Sequence, residues 1–144
     1  MMINIRGLDH VVLRTTKLDQ MLHFYQTLLG CQLERELAQG LTQLRAGNAL
    51  IDIVTVESEL GQLGGQAPQQ NGRNVDHFCL QITSVDETEL TAFLDRHHIP
   101  HSDFAERYGA QGFGRSVYLD DPEGNVVELK PYVETSEASA VNAQ

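Results

Sequence analysis

Tryptophan is absent and cysteine nearly so, with Cys31 and Cys79 the only two in 144 residues. Two thiols cannot build the disulfide framework of a small secreted domain, so the core must hold without staples, as a chain of this length can. Both are read as small buried residues. No apolar run approaches the roughly 20 residues of a membrane span, and no segment has the plan of a secretory signal. The expectation is a reducing cytoplasm and no membrane partner. Basic residues are scarce as well, ten against twenty acidic, for a net charge of −10. The basic stripe of a nucleic-acid surface is missing.

What is present is a duplication. Asp9-His10 and Asp76-His77 each open a strand-like segment, 67 residues apart. Threonine follows six residues past each histidine, an apolar residue eight past and aspartate nine past. Each half then shows a helical stripe: Leu18, Met21, Leu22, Tyr25, Leu28 and Leu29 in the first, and Leu90, Phe93, Leu94 and His97 in the second. Gly30 is placed to cap the first helix and Pro100 to end the second. Ser84-Val85-Asp86-Glu87 has capping-box spacing, and Thr16-Lys17-Leu18-Asp19 a looser version.

Three strand-like segments follow each helix: 32–38, 41–46 and 49–56 in the first half, and 101–107, 115–120 and 125–132 in the second. Turn residues at Gly47-Asn48 and over Asp121-Pro122-Glu123-Gly124-Asn125 support them. The order in both halves is β-α-β-β-β, an α+β architecture with one module over about 5–57 and the other over about 74–133. Between them 58–73, rich in Gly and Gln, reads as a flexible connector, and 134–144 as a frayed tail. The glycine-rich stretch Tyr108 to Arg115 has no helix after it to cradle phosphate and reads as a mobile flap. His23, His97, His98 and His101 fall on a helix or its exit, as surface or boundary residues.

Alternation along a strand puts His10, Val12 and Arg14 on one face, His77, Cys79 and Gln81 on one face, and Val126, Glu128 and Lys130 on one face. The opposite faces are apolar and suited to packing under a helix. Two imidazoles and a carboxylate on mixed faces form a metal-ligand pattern. Asp9 and Asp76 are either orienting partners of the histidines or turn residues.

Leu8-Asp9-His10-Val11, Phe24-Tyr25 through Leu29-Gly30, Val75-Asp76-His77, and above all Asp121-Pro122-Glu123-Gly124-Asn125-Val126-Val127-Glu128-Leu129 carry a family resemblance. The chain resembles the vicinal oxygen chelate superfamily over about residues 5–133. That superfamily includes glyoxalase I, fosfomycin-resistance thiol transferases, bleomycin-resistance proteins and extradiol dioxygenases. In detail the chain is similar to single-domain glyoxalase-like proteins of enteric bacteria, some described as virulence-associated.

The resemblance implies paired βαβββ modules forming curved mixed sheets around a metal cleft, usually in a homodimer. It implies His10, His77 and Glu128 as ligands of a divalent ion (Ni, Co, Zn, Mn or Fe). Asp52 is the candidate fourth ligand, and Glu128 or Asp52 the base. Counted from Gly47-Asn48 and Gly124-Asn125, Asp52 falls one residue out of step with Glu128, unless a turn difference or bulge restores it.

The implied activity is a glyoxalase-like lyase or isomerase acting on a small substrate with adjacent oxygens, a glutathione hemithioacetal among the candidates, with glutathione then a co-substrate. Arg115 and Tyr118 are candidate substrate contacts. The alternatives are a thiol transferase needing a cationic pocket, to which Lys130 and Arg115 would contribute, and a non-catalytic drug-binding protein. An extradiol dioxygenase ranks below these, because those chains are usually longer.

Overall fold

The computed structural model describes residues 2–134. The expected tail, beyond its first residue, lies outside the described residues. The chain divides into two compact units, Met1–Asn74 with Pro122–Gly124 and Val75–Asp121 with Asn125–Gln144.

The first unit contains β1 (His10–Thr15), α1 (Leu18–Leu22), β2 (Gln32–Leu37), β3 (Leu41–Ala46) and β4 (Ala49–Thr55). Its strands form a mixed sheet in the order β1-β4-β3-β2, with β1 and β4 parallel and the other pairs antiparallel. Leu13, Leu44, Ile51 and Ile53 are fully buried from the sheet, as are Met21 and Tyr25 from the helix. Full burial of such an aliphatic side chain stabilises by roughly 1.5–3 kcal/mol.

The helix differs from the single regular element expected. After Leu22 it widens into a π-helical segment over His23–Leu28. Neighbours on a regular helix point about 100° apart. Here the adjacent Phe24 and Tyr25 are both buried and meet edge to face at 4.9 Å. Gly30 then takes the left-handed conformation (φ 84°) that ends the helix, with the Cys31 amide donating to the Tyr25 carbonyl. The looser capping box does not form. Thr16 instead donates its amide and hydroxyl to Glu123 Oε1 at 2.5 and 2.9 Å.

The second unit contains β5 (His77–Ile82), α2 (Glu87–Arg96), β6 (Ala105–Gly109), β7 (Gly112–Asp120) and β8 (Val126–Pro131). Its sheet order β5-β8-β7-β6 repeats that of the first unit, again with the outer pair parallel. Leu94 from the helix and Val117, Leu119, Val127 and Leu129 from the sheet are buried. The cap of α2 is Asp86, which accepts from the Glu89 amide at 3.0 Å, rather than Ser84. The helix ends at His98 in a left-handed conformation (φ 55°). Each unit is a βαβββ module with one four-stranded mixed sheet, and the fold class is α+β as expected.

Three local expectations are corrected. The supposed flap over 108–115 is the end of a hairpin, with Tyr108 paired to Phe113 and Gly109 to Gly112. The strand expected from His101 starts only at Ala105. His101 makes an isolated bridge to Leu119, and a one-residue slip separates that bridge from the β6–β7 register. In the gap the Ser102 hydroxyl accepts from the Tyr118 amide at 2.9 Å.

The segment expected as a flexible connector is tied to β1. The Arg14 guanidinium donates to the carbonyls of Gly61 (3.1 Å), Gly64 (3.1 Å), Gly65 (2.6 Å) and Gln66 (2.9 Å). A side chain on Gly64 would start 2.4 Å from Arg14 Nε. Asn74 closes the segment, its side-chain amide pairing with both backbone groups of Arg14. Among the described residues no helix is long and apolar enough to cross a membrane.

Arg14→Ala removes all four carbonyl contacts while leaving the apolar face of β1 intact. Limited proteolysis of this variant is expected to cut within 58–73 at least tenfold faster than in the unchanged chain, with far-ultraviolet circular dichroism unaltered.

Candidate functional site

In the first unit the parallel β1–β4 pairing sets His10 beside Leu50 and Val12 beside Asp52. In the second, the β5–β8 pairing sets His77 beside Val126 and Cys79 beside Glu128. Asp52 and Glu128 therefore hold equivalent positions, each across from the residue two past its histidine. Asp52 needs no bulge to reach the histidine's face. The β3–β4 turn closes on Ala46 and Ala49, whereas the β7–β8 turn closes on Asp120 and Val126 around five residues. The two Gly-Asn pairs thus occupy different places in their turns, and counting from them misaligns the strands.

Each histidine is oriented by the aspartate before it. His10 Nδ1 donates to Asp9 Oδ2 at 2.7 Å, and His77 Nδ1 donates to Asp76 Oδ2 at 2.6 Å. In both rings this leaves Nε2 as the nitrogen able to accept or to coordinate. The Asp9 hydrogen bond raises the His10 pKa above 6.5 and the Asp52 charge adds to the rise, while burial opposes it.

Both carboxylates are buried, Asp52 at 3% and Glu128 at 6% exposure. Gln43, across the strand, donates to Asp52 Oδ2 at 3.1 Å, and Asp52 Oδ1 has no hydrogen-bond partner. An orphaned carboxylate oxygen is costly to bury, by about 1–3 kcal/mol. In the second unit, His77 Nε2 lies 3.5 Å from Glu128 Oε1. That is long for a hydrogen bond and close to the separation of two donors sharing one ion at roughly 2.0–2.2 Å from each. The donor set suits a divalent ion: imidazoles with Nδ1 held, and carboxylates with open lone pairs. Among the described residues no group of three or more such side chains is gathered around one point. The ligand-type residues come as two pairs, one in each unit.

Tyr118, opposite Glu128 on β7, meets the His77 ring edge to face at 5.3 Å. Arg115, three residues back, lies on the other face of β7 and holds Glu87 of α2 through two hydrogen bonds of 2.7 and 2.9 Å. The structure brings Tyr118 to the histidine and leaves Arg115 away from it. Cys79 shares the face of His77 and is exposed rather than buried. Local desolvation, and then the Glu128 charge, push its thiol up to about 11, so it stays protonated at neutral pH. His101 sits apart, donating to the Ser102 carbonyl and Asp95, both at 2.7 Å, which raises its pKa.

Arg107 was not singled out by the sequence. Its guanidinium lies 4.1 Å over the Tyr118 ring and donates to the Ser116 carbonyl at 2.5 Å. Lys130, on the face of Glu128, donates to the carbonyls of Arg107 (2.9 Å) and Gly112 (2.7 Å). The glycine spacing is the signal that points to it. A side chain on Gly109 would start 2.8 Å from Lys130 Nζ, and one on Gly114 3.0 Å from its Cε.

With this geometry established, the class is defined by comparison. The model of the Glyoxalase/Bleomycin resistance protein/Dioxygenase superfamily matches residues 7–129. The chain belongs to that superfamily, the vicinal oxygen chelate proteins. Among solved structures it is similar to the virulence protein STM3117 from Salmonella typhimurium, with 26% identity over 91% of this chain and 100% of that one (TM-score 0.74). Two further structures share the fold. They are a lactoylglutathione lyase from Agrobacterium tumefaciens (21% identity, 88% and 94% covered, TM-score 0.63) and the fosfomycin resistance protein FosX from Listeria monocytogenes (23%, 93% and 99%, 0.65). A search of curated proteins finds no match.

In metal-free protein, the His10 ring is expected to titrate above 6.5 by nuclear magnetic resonance, and Asp9→Asn to move its midpoint down towards 6.5. Because the folded value is raised, the Asp9 contact stabilises fully below 6.5 and fades as the pH climbs through the folded pKa.

Proposed function

We propose that the protein is a metal-dependent, glyoxalase-like lyase or isomerase acting on a small substrate with adjacent oxygens, such as a glutathione hemithioacetal. The observation that carries this reading is the repeated pair of an aspartate-oriented histidine and a buried carboxylate, with Asp52 Oδ1 unpartnered. His10 and Asp52 supply one half of the ligand set and His77 and Glu128 the other, in the homodimer that is common for this fold. A divalent ion held there (Ni, Co, Zn, Mn or Fe) supplies Lewis acidity towards the substrate oxygens.

The protein's own groups carry the proton. Asp52 and Glu128 are the buried carboxylates able to take a hydrogen from the carbon next to the carbonyl and return it one carbon away. That transfer turns a hemithioacetal into the isomeric thioester with no other reactant. Asp9 and Asp76 fix the imidazoles, and Tyr118 packs on His77 as a wall of the same face.

A second reading, a thiol transferase acting on a phosphonate, is favoured by one observation. Lys130 and Arg107 place two cations on the face that bears Glu128. A purely sequestering binding protein has no use for two oriented histidines and a buried carboxylate with one oxygen left unpartnered.

Elemental analysis is expected to find about one divalent ion per chain, lost in His77→Ala, with Asp76→Asn weakening affinity roughly 10–100-fold. With metal restored, the unchanged protein turns over the methylglyoxal–glutathione adduct, and Glu128→Gln lowers kcat/KM by at least a hundredfold. Glutathione addition to fosfomycin, measured in parallel, selects the second reading if it alone proceeds. Absence of bound metal, with no shift in Tm on adding Ni²⁺, Co²⁺, Zn²⁺ or Mn²⁺, overturns both.

A further inference from the structure

His101 differs from His10 and His77 in having no ring nitrogen to spare. Its Nδ1 faces the Ser102 carbonyl and its Nε2 faces the Asp95 carboxylate, each at 2.7 Å. A carbonyl and a carboxylate can only accept, so both ring nitrogens must carry hydrogen, and only the imidazolium provides that. What the ring holds is the irregular approach to β6. Asp95 lies in the last turn of α2, so one bond ties the helix end to the loop, and the other fixes the Ser102 carbonyl. Ser102 is the residue that seats Tyr118. Its amide donates to the Tyr118 carbonyl and its hydroxyl accepts from the Tyr118 amide, both at 2.9 Å. The Tyr118 ring then meets His77 at 5.3 Å. An unbroken run of contacts thus leads, within one unit, from the end of α2 to a candidate metal ligand.

We propose that His101 is a positioning residue for Tyr118: while protonated it clasps the end of α2 to the loop that seats Tyr118 against His77, and on losing a proton it releases one of its two acceptors. Its surroundings favour the proton. The Ser102 carbonyl and then the Asp95 hydrogen bond raise the His101 pKa above 6.5, burial opposes them, and the charges of Asp95 and Asp103 add to the rise. From β7 the residue across the bridge is apolar Leu119, and the neighbouring Asp120 engages the Pro100 carbonyl through its backbone amide. On α2 and at its exit, Arg96 and His97 turn to the Phe93 ring, and His98 is exposed. Because the folded value is raised, the clasp is complete below 6.5 and is lost as the pH climbs through the folded pKa.

The inference takes from the proposed function only that Tyr118 walls the substrate face, and its test is run in EDTA so that the two fail separately. Nuclear magnetic resonance of the full chain from about pH 5.5 to 9.5 is expected to show His101 titrating above 6.5. The Tyr118 amide shift and the Overhauser effect between the Tyr118 and His77 rings change with the same midpoint. Beyond it, protection of the Tyr118 amide against exchange, corrected for the intrinsic rate, falls roughly tenfold or more. Asp95→Asn, at an exposed side chain, moves the His101 midpoint down and carries the Tyr118 transition with it, a coincidence that a merely structural role does not produce. His101→Gln keeps a donor that does not titrate, so the Tyr118 transition disappears. Far-ultraviolet circular dichroism at pH 6 is the folding control. A His101 midpoint at or below 6.5 overturns the proposal. So does a Tyr118 transition that stays in place in Asp95→Asn, or one that survives in His101→Gln and so belongs to His77.

Discussion

The parallel pairing of the first strand of each unit with its last is the constraint on which the rest of the molecule depends. A parallel ladder forces a crossover, and here the crossover comprises the helix and two further strands. It also sets a histidine at the start of one strand two positions out of step with a carboxylate on the neighbouring one. The offset is the same in both units, although the turns leading into the last strands differ in length. Register conserves the site; loop length does not.

The order of elements, the core faces and the faces bearing His10, His77 and Glu128 were legible in the sequence, because alternation and helical periodicity are local properties. Asp52 shows where local reading ends. Counting from the Gly-Asn turns put it out of step, since the count took two chemically alike dipeptides to be structurally equivalent. Only the cross-strand partners, Val12 and Gln43 for Asp52 against Cys79 and Tyr118 for Glu128, reveal the equivalence. The same limit explains the irregular approach to β6, where a serine hydroxyl takes the place of a backbone acceptor.

Two charged side chains turned out to organise backbone. Arg14 and Lys130 lie on mixed strand faces, where a charge ordinarily reads as solvated. Each spends its donors on carbonyls of a glycine-rich segment, which turns an expected connector and an expected flap into fixed structure. Glycine-rich stretches were read as mobile because glycine is permissive. Here some of those glycines leave room for a long cationic side chain, and the fixity comes from that side chain. Arg107 escaped notice for a related reason, since its stacking partner Tyr118 is eleven residues away and reaches it only through the hairpin.

The bare oxygen of Asp52 sets folding and chemistry against each other at a single atom. On its face of the sheet Asp52 lies between Val12 and Gln43, while Ile51 and Ile53 point to the opposite, packed face. Stability alone gives no reason to leave a carboxylate oxygen without a partner in the middle of a strand, so a library selected only for heat resistance is expected to accept replacements at this position.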